Sequence, residues 1–190
     1  IAAAIIAVCI LPLIPVITGH AAIDDFWITQ PGADFLLICT NTMHKIAPQV
    51  ETAIDIPLLH LADATAQRIT DAGMSTIGLL GTNFTMEQDF YRGRLRERHG
   101  VEVAIPDTAD RDAVHAVIFD ELCQGITAAA SRQRFLQIVD ANRRSAGTDS
   151  VILGCTEIGL LVRDTDTPVR LLDTTAIHAE VAVERALATG

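Results

Sequence analysis

The stretch Phe35–Lys45 reads FLLICTNTMHK, and a later stretch, Val151–Leu161, reads VILGCTEIGLL. In each, an apolar run leads into a cysteine, a threonine and a polar residue. Strands of a parallel sheet read as continuous apolar runs, and α/β proteins bind ligands where such strands end. Either cysteine alone would ordinarily be a buried hydrophobic residue. The repeated context instead indicates a paired site formed by Cys39 and Cys155.

The position of these cysteines also predicts how they ionise. A thiol at the start of a helix lies near backbone N–H groups and the positive end of the helix dipole. That environment favours the thiolate form. We therefore expect helix N-termini to lower the pKa of both thiols.

Composition excludes several functional classes. The 190 residues include 14 Lys plus Arg and 24 Asp plus Glu, which gives a net charge of −10. This balance argues against a nucleic-acid binder held by phosphate neutralisation. The four cysteines, Cys9, Cys39, Cys123 and Cys155, show no CxxC spacing, so neither a metal site nor a redox dithiol is predicted. Reduced thiols favour a cytoplasmic location, and Cys9 and Cys123 are assigned to apolar or helical stretches without chemistry.

The beginning of the chain is unusual. Ile1–Gly19 carries no charge, and the length of this stretch is at the lower limit for a membrane-spanning helix. Pro12 and Pro15 break helices, and no basic flank is present, so no membrane association is expected. The run IIAVCIL is equally compatible with a buried parallel strand.

From Pro31 onward, apolar strands alternate with helical stretches, which is typical of an α/β fold with parallel sheets. The predicted strands are Phe35–Ile38, Pro57–His60, Thr76–Leu80, Val101–Ile105, Val151–Leu153 and Val169–Leu172. The first predicted helix is capped by Thr40 or Asn41 and runs through Glu51, with a break near Pro48. Further helices are predicted over Asp63–Ala72, from a cap at Thr85 to Gly100, over Asp107–Gln124 and over Thr127–Arg144. The last predicted helix is capped by Asp173 or Thr174 and continues to the end of the sequence. The arginines at positions 92, 94, 96 and 98 are expected to face mostly solvent.

A duplicated plan supports two similar lobes, each a parallel sheet flanked by helices, with the site between them. His60 follows Cys39 by 21 residues and Asp173 follows Cys155 by 18, each after another apolar strand. The predicted division is an apolar segment 1–30, a first lobe of 31–73 plus 174–190, and a second lobe of 74–173.

At ICTNTMHK and LGCTEIGLL the sequence resembles the aspartate/glutamate racemase family, and most closely its broad-specificity bacterial branch. The likeness continues through LADAT, LLGTNFTMEQDFYRGRL, FDELCQG and DTTAIHAE. The resemblance implies a two-base mechanism without pyridoxal phosphate or any other cofactor, in which Cys39 and Cys155 act on opposite faces of an amino acid. It also implies a homodimer. The sulfur atoms are then expected to lie about 7 to 8 Å apart.

The predicted substrate ligands are polar residues beside the two signatures and two threonines in the loop after the strand TIGLL, which the resemblance matches to the family's carboxylate loop. They are Thr40, Asn41, Thr42, Lys45, Thr82, Thr85, Thr156 and Glu157. Hydroxyl, amide and backbone donors of this kind can hold a carboxylate and stabilise a carbanion. Helix capping is an equally good reading of the threonines and Asn41. His60 and His178 are interpreted as hydrogen-bonded core residues.

The start of the chain departs from the family pattern. Family members begin with a strand and a loop similar to IGLLGGMSWES, and residues 1–30 contain no counterpart. An incomplete first lobe would lack part of the carboxylate site. Two alternatives to an active racemase therefore stay open: a racemase-like protein that only binds amino acids, and a related isomerase or decarboxylase acting on a dicarboxylate.

Overall fold

Two parallel β-sheets form the frame of the protein. The computed structural model describes residues 5–8, 33–148 and 150–188. The smaller sheet has the strand order β1-β2-β3 and the larger sheet the order β5-β4-β6-β7, and neighbouring strands in both are parallel. The predicted α/β class is therefore confirmed.

The strands lie within two residues of their predicted positions. They are β1 Ile5–Val8, β2 Phe35–Ile38, β3 Leu58–Leu59, β4 Thr76–Gly81, β5 Glu102–Ala104, β6 Ser150–Gly154 and β7 Arg170–Asp173. Strand β1 falls within IIAVCIL, in agreement with the interpretation of that run as a parallel strand. The remainder of the predicted segment 1–30, including Cys9, lies outside the described residues.

Helices connect the strands and cover the sheets. They are α1 Ala47–Ala53, α2 Leu61–Asp71, α3 Asn83–Glu87, α4 Asp89–His99, α5 Thr108–Asp120, α6 Ala129–Ala146, α7 Ile158–Leu161 and α8 Thr174–Ala188. Short 3₁₀ turns occupy Thr42–Ile46, Leu122–Gln124 and Asp164–Asp166. Within these described segments, no helix has the length and apolar character needed to cross a membrane.

Two predicted helix starts are wrong. The helix expected after Asn41 begins instead with a 3₁₀ turn, and α1 starts only at Ala47. Pro48 occupies the first turn of α1, where its missing N–H costs nothing, so it helps to begin a helix rather than end one. Thr85 does not cap the helix after β4. Thr82 does, because its hydroxyl accepts a hydrogen bond of 3.3 Å from the Thr85 N–H.

The alternation of side chains along β2 explains why its sequence is apolar throughout. Leu36 and Ile38 pack on one face with Met43, Ile46 and Val50. On the opposite face, Phe35 and Leu37 pack with Leu59 and with Ala182 of α8. The strand is thus buried on both faces, as expected for a parallel sheet between helical layers.

The larger sheet carries the main core. Ile77 and Leu79 of β4 and Val151 of β6 are fully buried in it, and Tyr91 and Phe135 are its largest enclosed aromatic side chains. Burial of this kind is the dominant favourable term in folding. The core fixes the strands whose carboxyl ends hold the candidate site.

Candidate active site

The two cysteine signatures lie at the carboxyl ends of strands in different sheets. Cys39 follows β2 and Cys155 follows β6, while Thr82 follows β4. The loops after these strands border a cavity of about 250 Å³. Its lining comprises Thr40, Asn41, Thr42, Met43, Thr82, Phe84, Ile118, Phe119, Cys123, Gly154, Cys155, Thr156 and Glu157. Six of the eight predicted substrate ligands are in this set.

Cys39 lines a second, adjoining cavity of about 300 Å³. Its side chain is exposed, and His178 and Thr175 lie in the same lining. Thr156 borders both cavities. The separation of about 7 to 8 Å between the sulfurs stays a prediction.

A close approach of β4 and β6 positions Cys155. A Cβ atom on Gly154 would lie 2.8 Å from Cδ1 of Leu79 and 3.1 Å from the carbonyl oxygen of Leu80. A Cβ atom on Gly81 would lie 2.8 Å from the carbonyl oxygen of Gly154. Any larger residue at these positions would push the strand ends apart. The two glycines therefore bring the loop of Thr82 close to the loop of Cys155.

The thiol of Cys155 is held by a carboxylate. Its Sγ donates a hydrogen bond of 2.9 Å to Oε2 of Glu157, which also accepts one of 2.7 Å from the Thr156 hydroxyl. Burial, followed by the hydrogen bond to Glu157, raises the pKa of Cys155 well above its ordinary value. Burial opposes ionisation of Glu157, but the hydrogen bonds from Cys155 and Thr156 outweigh it and lower the pKa of Glu157.

The predicted lowering of the Cys155 pKa is therefore wrong. The helix that follows, α7, has only four residues, and the half-buried carboxylate of Glu157 lies in direct contact with the thiol. A 3₁₀ turn rather than an α-helix follows Cys39. A helix dipole strong enough to lower the pKa of Cys155 would require a longer regular helix than α7.

Three threonine hydroxyls form a cluster between the two lobes. Thr42 lies 3.4 Å from Thr82 and 3.4 Å from Thr85, and Thr82 lies 3.3 Å from Thr85. Thr42 and Thr82 line the cavity, whereas Thr85 is completely buried and lies outside the lining. The predicted ligands Thr42, Thr82 and Thr85 are thus brought together, with Thr85 supporting the other two.

Asn41 joins the same region to the second signature. Its amide group donates a hydrogen bond of 3.0 Å to the hydroxyl of Thr174, which donates one of 2.9 Å to the carbonyl of Leu153. The Asn41 side chain is buried, and its Oδ1 has no hydrogen-bond partner among the described residues. Thr174 was predicted only as a possible helix cap. Asp173 performs that role instead, accepting a hydrogen bond of 2.8 Å from the Thr175 N–H.

Sequence reasoning missed Cys123. The structure places it in the lining of the Cys155 cavity with an exposed side chain, not in the core. Partial desolvation of the thiol and the nearby charge of Glu157 raise the pKa of Cys123. The signal was the glycine at position 125, whose positive φ of 75° ends the 3₁₀ turn that carries Cys123.

Lys45 lies away from both cavities. It is exposed and borders a separate depression with Pro48, Glu97 and Arg98. Its side chain extends from the outer face of the 3₁₀ turn that follows Cys39. A role for Lys45 in holding substrate stays a prediction that the cavity geometry does not support.

Three buried histidines lie beneath the loop after Cys39. His44 donates through Nδ1 to the Thr40 carbonyl at 2.8 Å and accepts through Nε2 from the Leu61 N–H at 3.1 Å. His60 accepts from the Ala62 N–H and caps α2, and His178 donates to the Leu59 carbonyl at 2.8 Å. The interpretation of His60 and His178 as hydrogen-bonded core residues is confirmed, although His178 also borders the Cys39 cavity.

Burial keeps these histidines neutral. It lowers the pKa of His44 from 6.5 to about 4 and the pKa of His60 to about 2, and it also lowers the pKa of His178. The ring centroids of His44 and His60 are only 4.3 Å apart, so charging one would disfavour charging the other. Across the described part of the chain, no group of three or more His, Cys, Asp or Glu side chains is arranged to hold a metal ion.

Comparison with known proteins identifies similar chains. A curated relative, the broad-specificity amino-acid racemase RacX of Bacillus subtilis, is 22% identical over 165 residues, covering 84% of this chain and 67% of its own. The crystal structure of a candidate Asp/Glu racemase from Yersinia pestis has a TM-score of 0.78 and 51% identity, with coverage of 82% of this chain and 67% of that one. An aspartate racemase homologue from Pyrococcus horikoshii has a TM-score of 0.75 and 32% identity, with coverage of 82% and 68%.

The chain spans about two thirds of the length of these relatives. A family model described as Asp/Glu/hydantoin racemase matches residues 19–182. The match includes both cysteine signatures, the threonine cluster and the loop of Cys123. The chain therefore belongs to the Asp/Glu/hydantoin racemase family.

Proposed function

We propose that this protein is a cofactor-independent amino-acid racemase in which Cys39 and Cys155 act as the two proton-transfer groups. The observation that carries the proposal is the thiol of Cys155, held at 2.9 Å by Glu157 in a cavity that the loop after Cys39 also borders. Membership of the racemase family supports the reaction class. The family resemblance supports Cys39 as the partner of Cys155.

The proposed reaction balances without any other reactant. The Cys39 thiolate takes the α-proton from one face of the substrate, breaks the Cα–H bond and becomes a thiol. The Cys155 thiol donates its proton to the opposite face, forms the new Cα–H bond and becomes a thiolate. In the reverse direction the two groups exchange roles, as a two-base mechanism requires.

The raised pKa of Cys155 suits it to the donating role. A thiol whose pKa lies well above neutrality is fully protonated before the reaction begins. The Glu157 carboxylate accepts a hydrogen bond from this thiol and orients it within the cavity. For the enantiomer that presents its α-proton to Cys155, the thiol must first ionise, so the two enantiomers should show different pH profiles.

The threonine cluster is the proposed site for the substrate carboxylate. The hydroxyls of Thr42 and Thr82 line the cavity and can rotate to donate hydrogen bonds to an anion. Removing the α-proton moves negative charge toward this carboxylate. Preorganised donors stabilise such developing charge more effectively than water does. Thr40 and Thr156 are proposed as further donors at the edge of the same cavity.

The remaining features implied by the resemblance are also proposals. The substrate is a small amino acid of the aspartate or glutamate type, or one of a broader set. The functional form is a homodimer, and the protein acts in the cytoplasm.

Exchange of the substrate α-proton with solvent deuterium tests the mechanism. Cys39→Ala and Cys155→Ala should each abolish racemisation, because each removes one of the two proton-transfer groups. Cys123→Ala is the informative comparison, since it removes a thiol from the same cavity that has no assigned proton to carry. It should retain exchange within about tenfold of the parent rate.

Circular dichroism of each variant should confirm that it is folded. Normal conversion of one enantiomer into the other by Cys39→Ala or Cys155→Ala would disprove the assignment, whereas deuterium uptake by a single enantiomer is what one remaining thiol allows. Calorimetric binding of amino acids with no exchange in the parent protein would instead indicate a racemase-like binding protein.

A further inference from the structure

Two exposed aromatic side chains stand at the mouth of the Cys155 cavity. Phe84 is 46% exposed and Phe119 is 44% exposed, and both belong to the cavity lining. Ile118 and Met43 extend this apolar surface into the cavity. We call these four residues the aromatic wall. Large apolar side chains exposed together at a concave site commonly mark a ligand surface.

The aromatic wall is held in position before any ligand binds. The ring of His115 lies between the two phenylalanines, with centroid distances of 6.1 Å to Phe84 and 4.7 Å to Phe119. The backbone N–H of Asn83 donates a hydrogen bond of 3.2 Å to Nδ1 of His115, and the Asn83 amide donates one of 3.1 Å to Asp112. Preorganised aromatic surfaces bind ligands at a low entropic cost.

The charge of the cavity opposes an acidic side chain. Glu157 is the carboxylate in the lining, and the described lining residues include neither lysine nor arginine. A substrate side-chain carboxylate would lie in the same small volume as this negative charge. Like charges in a partly buried site repel strongly because water screens them poorly.

The polar donors and the aromatic wall define one substrate orientation. Thr82 belongs to the threonine cluster, and Phe84 follows it by two residues at the start of α3. An α-carboxylate on Thr42 and Thr82 would therefore place the rest of the amino acid beside Phe84 and Phe119. A linear or aromatic apolar side chain would cover surface that is otherwise exposed to water.

From this geometry, and resting on the racemase function proposed above, we infer that the Cys155 cavity selects amino acids with apolar or aromatic side chains over aspartate and glutamate. The aromatic wall supplies the contact surface. Glu157 supplies discrimination against acidic side chains.

The test compares leucine, methionine and phenylalanine with aspartate and glutamate on the full chain. Solvent deuterium incorporation at Cα measures turnover, and calorimetry with the same amino acids measures binding. The apolar amino acids should be exchanged with kcat/KM at least about tenfold higher and should bind more tightly. Phe119→Ala should lower kcat/KM for them by about tenfold, chiefly through KM, and should leave the acidic amino acids nearly unaffected.

Phe119→Lys provides the opposite change, since it places a cation at the cavity mouth. It should improve exchange or binding of aspartate relative to leucine. Leu187→Ala is the matched control, because Leu187 is 76% exposed on α8 and lies outside both cavity linings. It should reproduce the parent values for every amino acid.

The outcomes separate this inference from the racemase proposal. Faster exchange of aspartate or glutamate than of the apolar set would overturn the inference and leave the racemase function intact. Absence of exchange for every amino acid would overturn the racemase function, and the calorimetric ranking would then decide the side-chain preference. A change in oligomeric state of Phe119→Ala without any change in substrate ranking would contradict the inference, because it would assign the wall to an interface between copies.

Discussion

The side chains of Asn41 and Thr174, 133 positions apart in the sequence, are joined by a hydrogen bond of 3.0 Å. Thr174 is completely buried, and its hydroxyl donates a hydrogen bond to the carbonyl of Leu153, two residues before Cys155. The loop that follows Cys39 is thus tied to the strand that delivers Cys155. This relay sets the relative position of the two cysteine loops.

Replacing Thr174 by valine should disturb both stability and catalysis. The variant keeps the volume of the side chain but leaves the Leu153 carbonyl and the Asn41 amide without their partner. We expect a loss of about 1–3 kcal/mol in the free energy of unfolding, which urea denaturation would measure. The rate of α-proton exchange should fall by a larger factor than KM changes, because the two cysteine loops lose their relative position.

Thr127→Val is the matched control for this substitution, since Thr127 is exposed just before α6. It should leave both the free energy of unfolding and the exchange rate near their parent values. Equal effects of the two valine variants would show that the relay has no special role.

Replacing Glu157 by glutamine should lower the pKa of Cys155. Burial and the hydrogen bond to the Glu157 carboxylate both disfavour the thiolate, and the substitution removes the negative charge while burial remains. The pH dependence of Cys155 alkylation, followed by peptide mass spectrometry, would report the change. The midpoint should move to lower pH in the variant.

The same variant should alter catalysis in an enantiomer-dependent way. Exchange of the enantiomer that needs Cys155 as a base should extend to lower pH than in the parent protein. An alkylation midpoint that stays in place, or moves upward, would refute the assignment of Glu157 as the main charged neighbour of this thiol.

Asp63 should stabilise the packing of α2 on α4. Its carboxylate accepts hydrogen bonds of 2.7 and 2.6 Å from Arg94 and one of 2.9 Å from His99. Burial opposes ionisation, but the bonds from Arg94 and His99 outweigh it and hold the pKa of Asp63 well below its usual 3.8. Asp63→Asn should therefore cost about 2–3 kcal/mol near neutral pH.

The pH dependence of this contribution has a defined sign. Because the folded-state pKa is lowered, the stabilisation is fully present above the ordinary pKa near 3.8 and is lost as the pH falls below it. Urea denaturation at pH 7 and pH 3 should show the two proteins converging in acid. Asp55→Asn, at an exposed position, is the control. A difference between parent and Asp63→Asn that is as large at pH 3 as at pH 7 would contradict the ion-pair explanation.

The buried histidines should destabilise the protein at mildly acidic pH. Burial lowers the pKa of His44 from 6.5 to about 4, so between these values the unfolded chain binds a proton that the folded chain does not. Within that window, each such histidine lowers the free energy of unfolding by about 1.4 kcal/mol for every unit by which the pH falls. His44→Gln should make the slope between pH 6 and pH 4.5, measured by urea denaturation, about this much shallower.

Lys45→Gln changes the neighbouring exposed residue and should preserve the parent slope. At pH 7, His44→Gln should itself be less stable, because it removes hydrogen bonds to the Thr40 carbonyl and from the Leu61 N–H. An unchanged slope in His44→Gln would mean that other groups control the acid response.

The apolar runs before the cysteines were enough to place the strands. Val151–Leu153, for example, lies within β6, because a strand buried on both faces needs apolar residues at successive positions. The same rule placed Cys39 and Cys155 at carboxyl ends of strands, but it applies within one sheet and could not predict that loops from two sheets border one cavity. Glycines at helix ends were equally readable, as at Gly100 with its φ of 66°.

Contacts between distant residues were not readable in this way. Arg94 was expected to face solvent with its arginine neighbours, yet its side chain is 11% exposed and binds Asp63 on another helix. Cys123 was assigned to a helical stretch without chemistry, and a 3₁₀ turn places it in the cavity lining instead. Sequence spacing describes one element at a time and contains no information on which elements face each other.

The sequence by itself determined the α/β class and the strand positions, because these depend on hydrophobic periodicity and on local turn geometry, and its repeated motif nominated Cys39 and Cys155 as a candidate pair. Only the tertiary structure decided the protonation of Cys155, the bridge from Asn41 to Thr174 and the aromatic wall. A pKa depends on burial and on the nearest charge, and a cavity surface depends on which loops meet. Both are properties of the packed chain rather than of any single segment.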